Sequence, residues 1–213
     1  MNNIDRDSTN KEEERMLAVI ELQQRILACR RCQEQGYLQH AHPIVSGRAT
    51  DRVMVIGQAP GHRSVAQKRP FSGPGGRVLQ KWLEQVGFPP GYLHQHCYLT
   101  SLTHCDPGKN PSGEGDRRPS AQEVALCRPF LLQELRLVQP KVVLLLGSMA
   151  IEAFFGKVRL QDVIGTYREQ DGTLLLPLPH PSGVSRWLND PQHQRLHQQA
   201  LTLLAHWRKL YEL

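Results

Sequence analysis

Four short, almost unbroken apolar runs limit what this chain can fold into: Val53-Met54-Val55-Ile56, Cys97-Tyr98-Leu99-Thr100, Val142-Val143-Leu144-Leu145-Leu146 and Thr173-Leu174-Leu175-Leu176. Each closes on Gly, Pro or a polar cluster, as strands covered on both faces do. Helical periodicities lie between and after them, at 77–86, 121–138, 148–155 and 191–211. The second has a start signal, because Ser120 precedes Glu123 at the capping-box spacing, and Pro140 marks its end. Strands alternating with helices predict an α/β fold: a three-layer α/β/α sandwich on a mainly parallel central sheet. A length of 213 residues suits one domain, expected over 16–213. Residues 1–15 are polar, lack apolar periodicity, and read as a flexible lead-in.

In such sheets ligands bind beyond the carboxyl ends of the strands. Gly57-Gln58-Ala59-Pro60-Gly61 leaves the first run, Gly147-Ser148 the third, and His180-Pro181-Ser182-Gly183 follows the fourth. Singly, each reads as a Gly/Pro turn. A parallel sheet would bring all three to one edge.

The chain has five cysteines, no secretory leader and no apolar stretch of about 18 residues, so a soluble cytoplasmic protein without membrane spans or a disulfide framework is expected. Cys29 and Cys32 form a CxxC, and Cys105 and Cys127 complete a set of four thiols, the number that an iron–sulfur cluster or a structural zinc requires. A redox CxxC would sit in a βαβ pattern that is missing here, and scattered core thiols are the other plain reading. The second pair is spread across a Pro/Gly-rich loop, which leans toward a cubane cluster stapling the stretch 105–127. That loop carries Lys109, Arg117 and Arg118, either as a solvated basic surface or as a phosphate-contacting one. The formal net charge of +6 suits a polyanionic partner. Cys97, inside an apolar run, is expected to be an inert core thiol.

These elements, in this order, resemble the uracil-DNA glycosylase superfamily, specifically its iron–sulfur branches, families four and five. The matching stretches are Cys29-Arg30-Arg31-Cys32, Val55 to Gly61, Arg69-Pro70-Phe71-Ser72-Gly73, Cys105, Cys127-Arg128-Pro129, Leu146-Gly147-Ser148 and Leu178-Pro179-His180-Pro181-Ser182. The resemblance implies a monofunctional glycosylase that excises uracil from DNA, with hypoxanthine or other deaminated bases as further substrates. It also implies a structural [4Fe-4S] cluster on Cys29, Cys32, Cys105 and Cys127, and a protein that works as a monomer on DNA containing deaminated bases. Phe71 matches the aromatic that stacks on the flipped base, in a pocket with Gly57, Ala59, Gly61 and Ser101. His180 matches the donor to the uracil oxygen that gains charge as the glycosidic bond breaks. Ser148 and Ser182 match phosphate contacts, and Val184 the wedge entering the duplex, with Arg186 or Trp187 as alternatives.

The chain departs from the family pattern in two places. Gln58, Ala59 and Pro74 stand where many relatives carry an acid that activates water, so Gln58 is the candidate for holding it, with His62 as a second polar group. Ser101 stands where family four has asparagine, which predicts looser base reading. The competing expectations are a catalytically silent lesion-binding module of the same fold and a nucleotide-binding α/β protein with structural zinc.

Overall fold

In the computed structural model, which describes residues 3–110, 115–182 and 186–213, all four apolar runs are strands. The chain runs α1 (Asn3–Leu27), α2 (Arg31–Glu34), β1 (Val53–Gly57), α3 (His62–Ala66), α4 (Pro74–Gln85), α5 (Tyr92–Gln95), β2 (Cys97–Ser101), α6 (Ala121–Val138), β3 (Val142–Leu146), α7 (Gly147–Phe155), α8 (Leu160–Val163), β4 (Arg168–Gln170), β5 (Thr173–Leu178), a short 3-10 helix (Trp187–Asn189) and α9 (Pro191–Leu210). The sheet order is β2-β1-β3-β5-β4. The first three pairings are parallel and only β4 runs antiparallel, at the edge.

Every residue of β1, β2 and β3 is buried. Successive side chains point to opposite faces, so both faces are covered and the sheet is the middle layer of a sandwich, as expected. The register makes the edge level: Gly57 stands opposite Ser101, and Leu146 opposite Leu178. All four following loops therefore leave the core at one height. β4 was not legible as a strand because Arg168, Glu169 and Gln170 are polar and exposed. It exists by pairing with β5, and its charges blunt the sheet edge.

α1 is helical from Asn3, although Asn10 to Glu14 are exposed. A stripe of apolar residues is not required where good helix formers and i,i+4 contacts suffice, such as Asn10 Nδ2 to Glu14 Oε1 at 3.1 Å. Packing begins further along, with Val19, Leu22 and Ile26 buried. Leu22 and Ile26 join Phe130 of α6 in a small core of their own. α4 begins at Pro74 rather than at 77, with the proline in the first turn, where its missing N–H costs nothing. No helix among the described residues is long and apolar enough to cross a membrane.

Candidate active site and cysteine centre

At the carboxyl edge of the sheet lies a cleft of about 740 Å³. It is lined by the loops after β1, β2, β3 and β5, by the first turn of α4, and by Lys109 and Gly115 to Arg118 of the long loop. The GQAPG loop is stitched to the end of β2 by backbone bonds: Leu102 N–H donates to Gly57 O at 3.0 Å and Thr103 N–H to Gln58 O at 3.3 Å. Gly57, Gln58, Ala59, Gly61, His62, Phe71, Ser101, Ser148, His180 and Ser182 all line this one cleft.

The ring of Phe71 covers Gly57 and approaches Ser101. A Cβ on Gly57 would lie 3.1 Å from Phe71 Cζ and 3.7 Å from Ser101 Oγ. The backbone that holds the ring is strained: Phe71 has φ +56°, unusual for a bulky residue. Its neighbours enforce that shape. Ser72 N–H donates to Ser64 Oγ at 3.3 Å, and His94 Nε2 bonds the Pro70 carbonyl at 3.0 Å. Gly76 comes so close that a Cβ there would sit 1.6 Å from the Phe71 carbonyl oxygen. Strain of this kind persists where the surroundings over-determine it, commonly at ligand sites.

His180 lies against Gly147, whose φ of +80° and missing Cβ admit the imidazole; a methyl group there would be 3.1 Å from the ring. The residue is accessible from the cleft, yet protein packs around its ring. This burial, and secondarily the Arg118 guanidinium, lower its pKa from the usual 6.5. The imidazole is therefore neutral near neutral pH. Arg118 also donates to Ser148 Oγ at 2.9 Å, so the serine expected to contact phosphate is bonded to a cation inside the cleft. Arg117 turns the other way and grips buried Glu123 through two bonds of 2.7 Å. Glu123 in turn completes the capping box with Ser120.

Arg186 does not join this group. It is exposed and caps the 3-10 helix instead of lining the cleft. Val184 lies outside the described residues. Sequence reasoning missed Asp116 and undervalued Arg118, which it left on a basic loop. The only sequence signal for either was their position between two cysteines.

The other four cysteines meet elsewhere. Cys29, Cys32, Cys105 and Cys127 line one small cavity with Ile26, His104 and Phe130, and all are free thiols. Helix α2 holds the CxxC against α6: Arg31 donates to the Leu126 carbonyl at 3.1 Å and stacks on the Phe130 ring at 4.5 Å. Burial pushes the Cys32 thiol up to about 11 and Cys105 to about 12, and neighbouring cysteines add to both shifts. As bare thiols they stay protonated; a bound metal would reverse that preference. His104, buried beside them, bonds Glu134 through Nε2 at 3.2 Å and lies against the Cys127 side chain. All four thiols thus gather around one cavity. Among the described residues no three His, Cys, Asp or Glu side chains are placed to hold a single ion. Cys97 is buried in the main core, and burial pushes its thiol far up.

Comparison with known proteins bears on this geometry. The sequence profile of the uracil DNA glycosylase superfamily matches residues 45–204. The chain is 23% identical over 173 residues to the Type-4 uracil-DNA glycosylase of Sulfurisphaera tokodaii, covering 76% of this chain and 74% of that protein. It is 28% identical over 167 residues to the Type-4 uracil-DNA glycosylase of Thermotoga maritima, covering 76% of this chain and 81% of that one. Against the Type-5 uracil-DNA glycosylase of Pyrobaculum aerophilum the identity is 34% over 118 residues, covering 50% and 49% of the two chains.

Proposed function

The chain belongs to the uracil DNA glycosylase superfamily, and from that premise we propose that it is a monofunctional glycosylase releasing uracil from DNA, working as a cytoplasmic monomer. The observation that carries this reading is the pairing of two devices in one cleft: Phe71 laid over Gly57 beside Ser101, and neutral His180 seated on Gly147 next to Arg118. A base extruded from the duplex stacks on Phe71. As the bond between C1′ and N1 breaks, its electron pair moves into the uracil ring, and charge grows on a carbonyl oxygen. The His180 N–H donates to that oxygen, with the Arg118 cation close by. Donors fixed in advance at the developing charge are the largest single contribution to such a reaction. Water adds to C1′ and leaves an abasic site. Gln58, which lines the same cleft, hydrogen-bonds that water in this reading.

Ser101 reads the base edge with one hydroxyl, which supports acceptance of hypoxanthine and other deaminated bases as well as uracil. Ser182 and Arg186 contact the DNA backbone outside the base pocket, and Val184 fills the gap left by the extruded base. Cys29, Cys32, Cys105 and Cys127 would hold a [4Fe-4S] cluster, which supplies a cross-link and takes no part in the reaction. Its ligands join α2, the end of the β2 loop and α6, and so fix the loop that carries Arg118 into the cleft.

The test is base release from oligonucleotides containing a single uracil, hypoxanthine or xanthine, read by alkaline scission beside His180→Ala. Uracil release that falls about 10²-fold or more in the variant is expected. Salt-sensitive DNA binding without release from any substrate would assign the lesion-binding role instead. Iron with labile sulfide, rather than zinc, is expected on metal analysis.

A further inference from the structure

Water adding to C1′ is helped by a negative charge, both to orient the water and to face the positive charge that develops on the sugar. The GQAPG loop offers none. We infer that Asp116, reaching in from the loop between Cys105 and Cys127, is the carboxylate that serves the sugar end of the cleft.

Asp116 is the single carboxylate among the described residues lining the cleft. Its Oδ2 lies directly over the GQAPG loop: a Cβ on Gly61 would be 2.8 Å from it, closer than side chains tolerate. The carboxylate reaches this position only because residue 61 has no side chain. Gly61 is four positions beyond Gly57, the floor of the base pocket, so the two points are at most about 14 Å apart along the chain. Both positions line the same cleft, and the inference puts the sugar of the bound nucleotide on the Gly61 side of the base.

The carboxylate is also preorganised. Oδ1 accepts from Lys109 Nζ at 2.9 Å, and residues 109 and 116 pair as a backbone bridge. The next residue is anchored twice, by Arg117 N–H to Gly108 O at 2.9 Å and by its guanidinium on Glu123. Arg118 is tied to Ser148. Lys109 occupies one oxygen and leaves Oδ2 facing the loop. The side chain is 35% exposed, open enough to meet water. Serving merely as a clip for the loop is a weaker account: an exposed ion pair contributes little, and the backbone bridge and the Arg117 grip already tie residues 109 and 116–117 down.

The inference rests on the glycosylase reading. The C1′–N1 bond breaks, and its electron pair leaves on uracil. The water oxygen bonds to C1′ and gives its proton to Asp116, which returns it to solvent; uracil takes a proton from solvent.

Single-turnover uracil release, with oligonucleotide affinity measured separately, tests it in the wild type, Asp116→Asn and Asp116→Glu across pH. Asparagine keeps the shape and a hydrogen bond to Lys109 but removes the charge. The expected result is a release rate about 10²-fold lower in Asp116→Asn, with affinity within about threefold. Glutamate at 116 restores part of the rate. If the wild type releases uracil and Asp116→Asn matches it, or loses rate only in step with affinity, the inference is overturned while the glycosylase reading stands. A wild type that releases uracil from no substrate overturns both.

Discussion

In the proposed reaction His180 acts as a neutral donor, and its surroundings dictate that state. Burial and then Arg118 both disfavour a second proton on the ring. A lowered pKa means that the neutral, active form predominates at and above about pH 6.5 and is lost as pH falls below the ordinary histidine range. The release rate should therefore show no decline between about pH 6.5 and 8.5 that an imidazolium acid would impose; a pH–rate profile checks this. Gly147→Ala is expected to cut release at least about tenfold through displacement of the ring, because φ of +80° and a contact at 3.1 Å leave no room for a methyl group. Its DNA affinity should change far less, which separate binding and single-turnover measurements would show. Ser101→Asn should raise the ratio of uracil to hypoxanthine release, since an amide reads two edge atoms where a hydroxyl reads one. None of these neighbours is adjacent in sequence, which is why the loops were legible and the contacts were not.

At the scale of elements, helix ends and helix faces carry the clearest energetics. Ser120 and Glu123 form a reciprocal cap on α6, and Glu123 also holds Arg117. Ser120→Ala should cost about 1 kcal/mol in chemical denaturation. On α9, His197 is buried against Trp82, with ring centroids 4.3 Å apart. Burial lowers its pKa from 6.5 to about 4. The folded state thus prefers the neutral ring, so this contribution is full above pH 6.5 and drains away as pH falls through 4. The loss is on the order of 3 kcal/mol, and His197→Leu should flatten that part of the stability–pH curve. The four apolar strands and the start of α6 were readable because burial on both faces and capping each leave a local pattern. β4 and the polar start of α1 left none: one is held by its neighbour strand, the other by helix propensity alone.

For the whole molecule, the segment from Cys105 to Cys127 links the cysteine cavity to the cleft. It leaves the cavity, lays Asp116 and Arg118 into the cleft, and returns through α6. Cys105→Ser or removal of the proposed cluster should lower the thermal midpoint and reduce uracil release together, because the loop loses its anchor. Metal content, melting and single-turnover rates measured on one preparation would test this. A net charge of +6 further predicts DNA affinity that falls steeply with salt.

The residues by themselves determined the layers of the fold, the edge at which chemistry gathers, and the four thiols that belong together. Those properties are written in spacing and in which side chains avoid water, both local in the chain. The tertiary structure alone decided that Phe71 is bent onto Gly57, that Arg118 bonds Ser148 while Arg117 grips Glu123, and that a carboxylate reaches Gly61 from a distant loop. Each of these depends on where two separate backbones come to rest, and a one-dimensional pattern does not encode that distance.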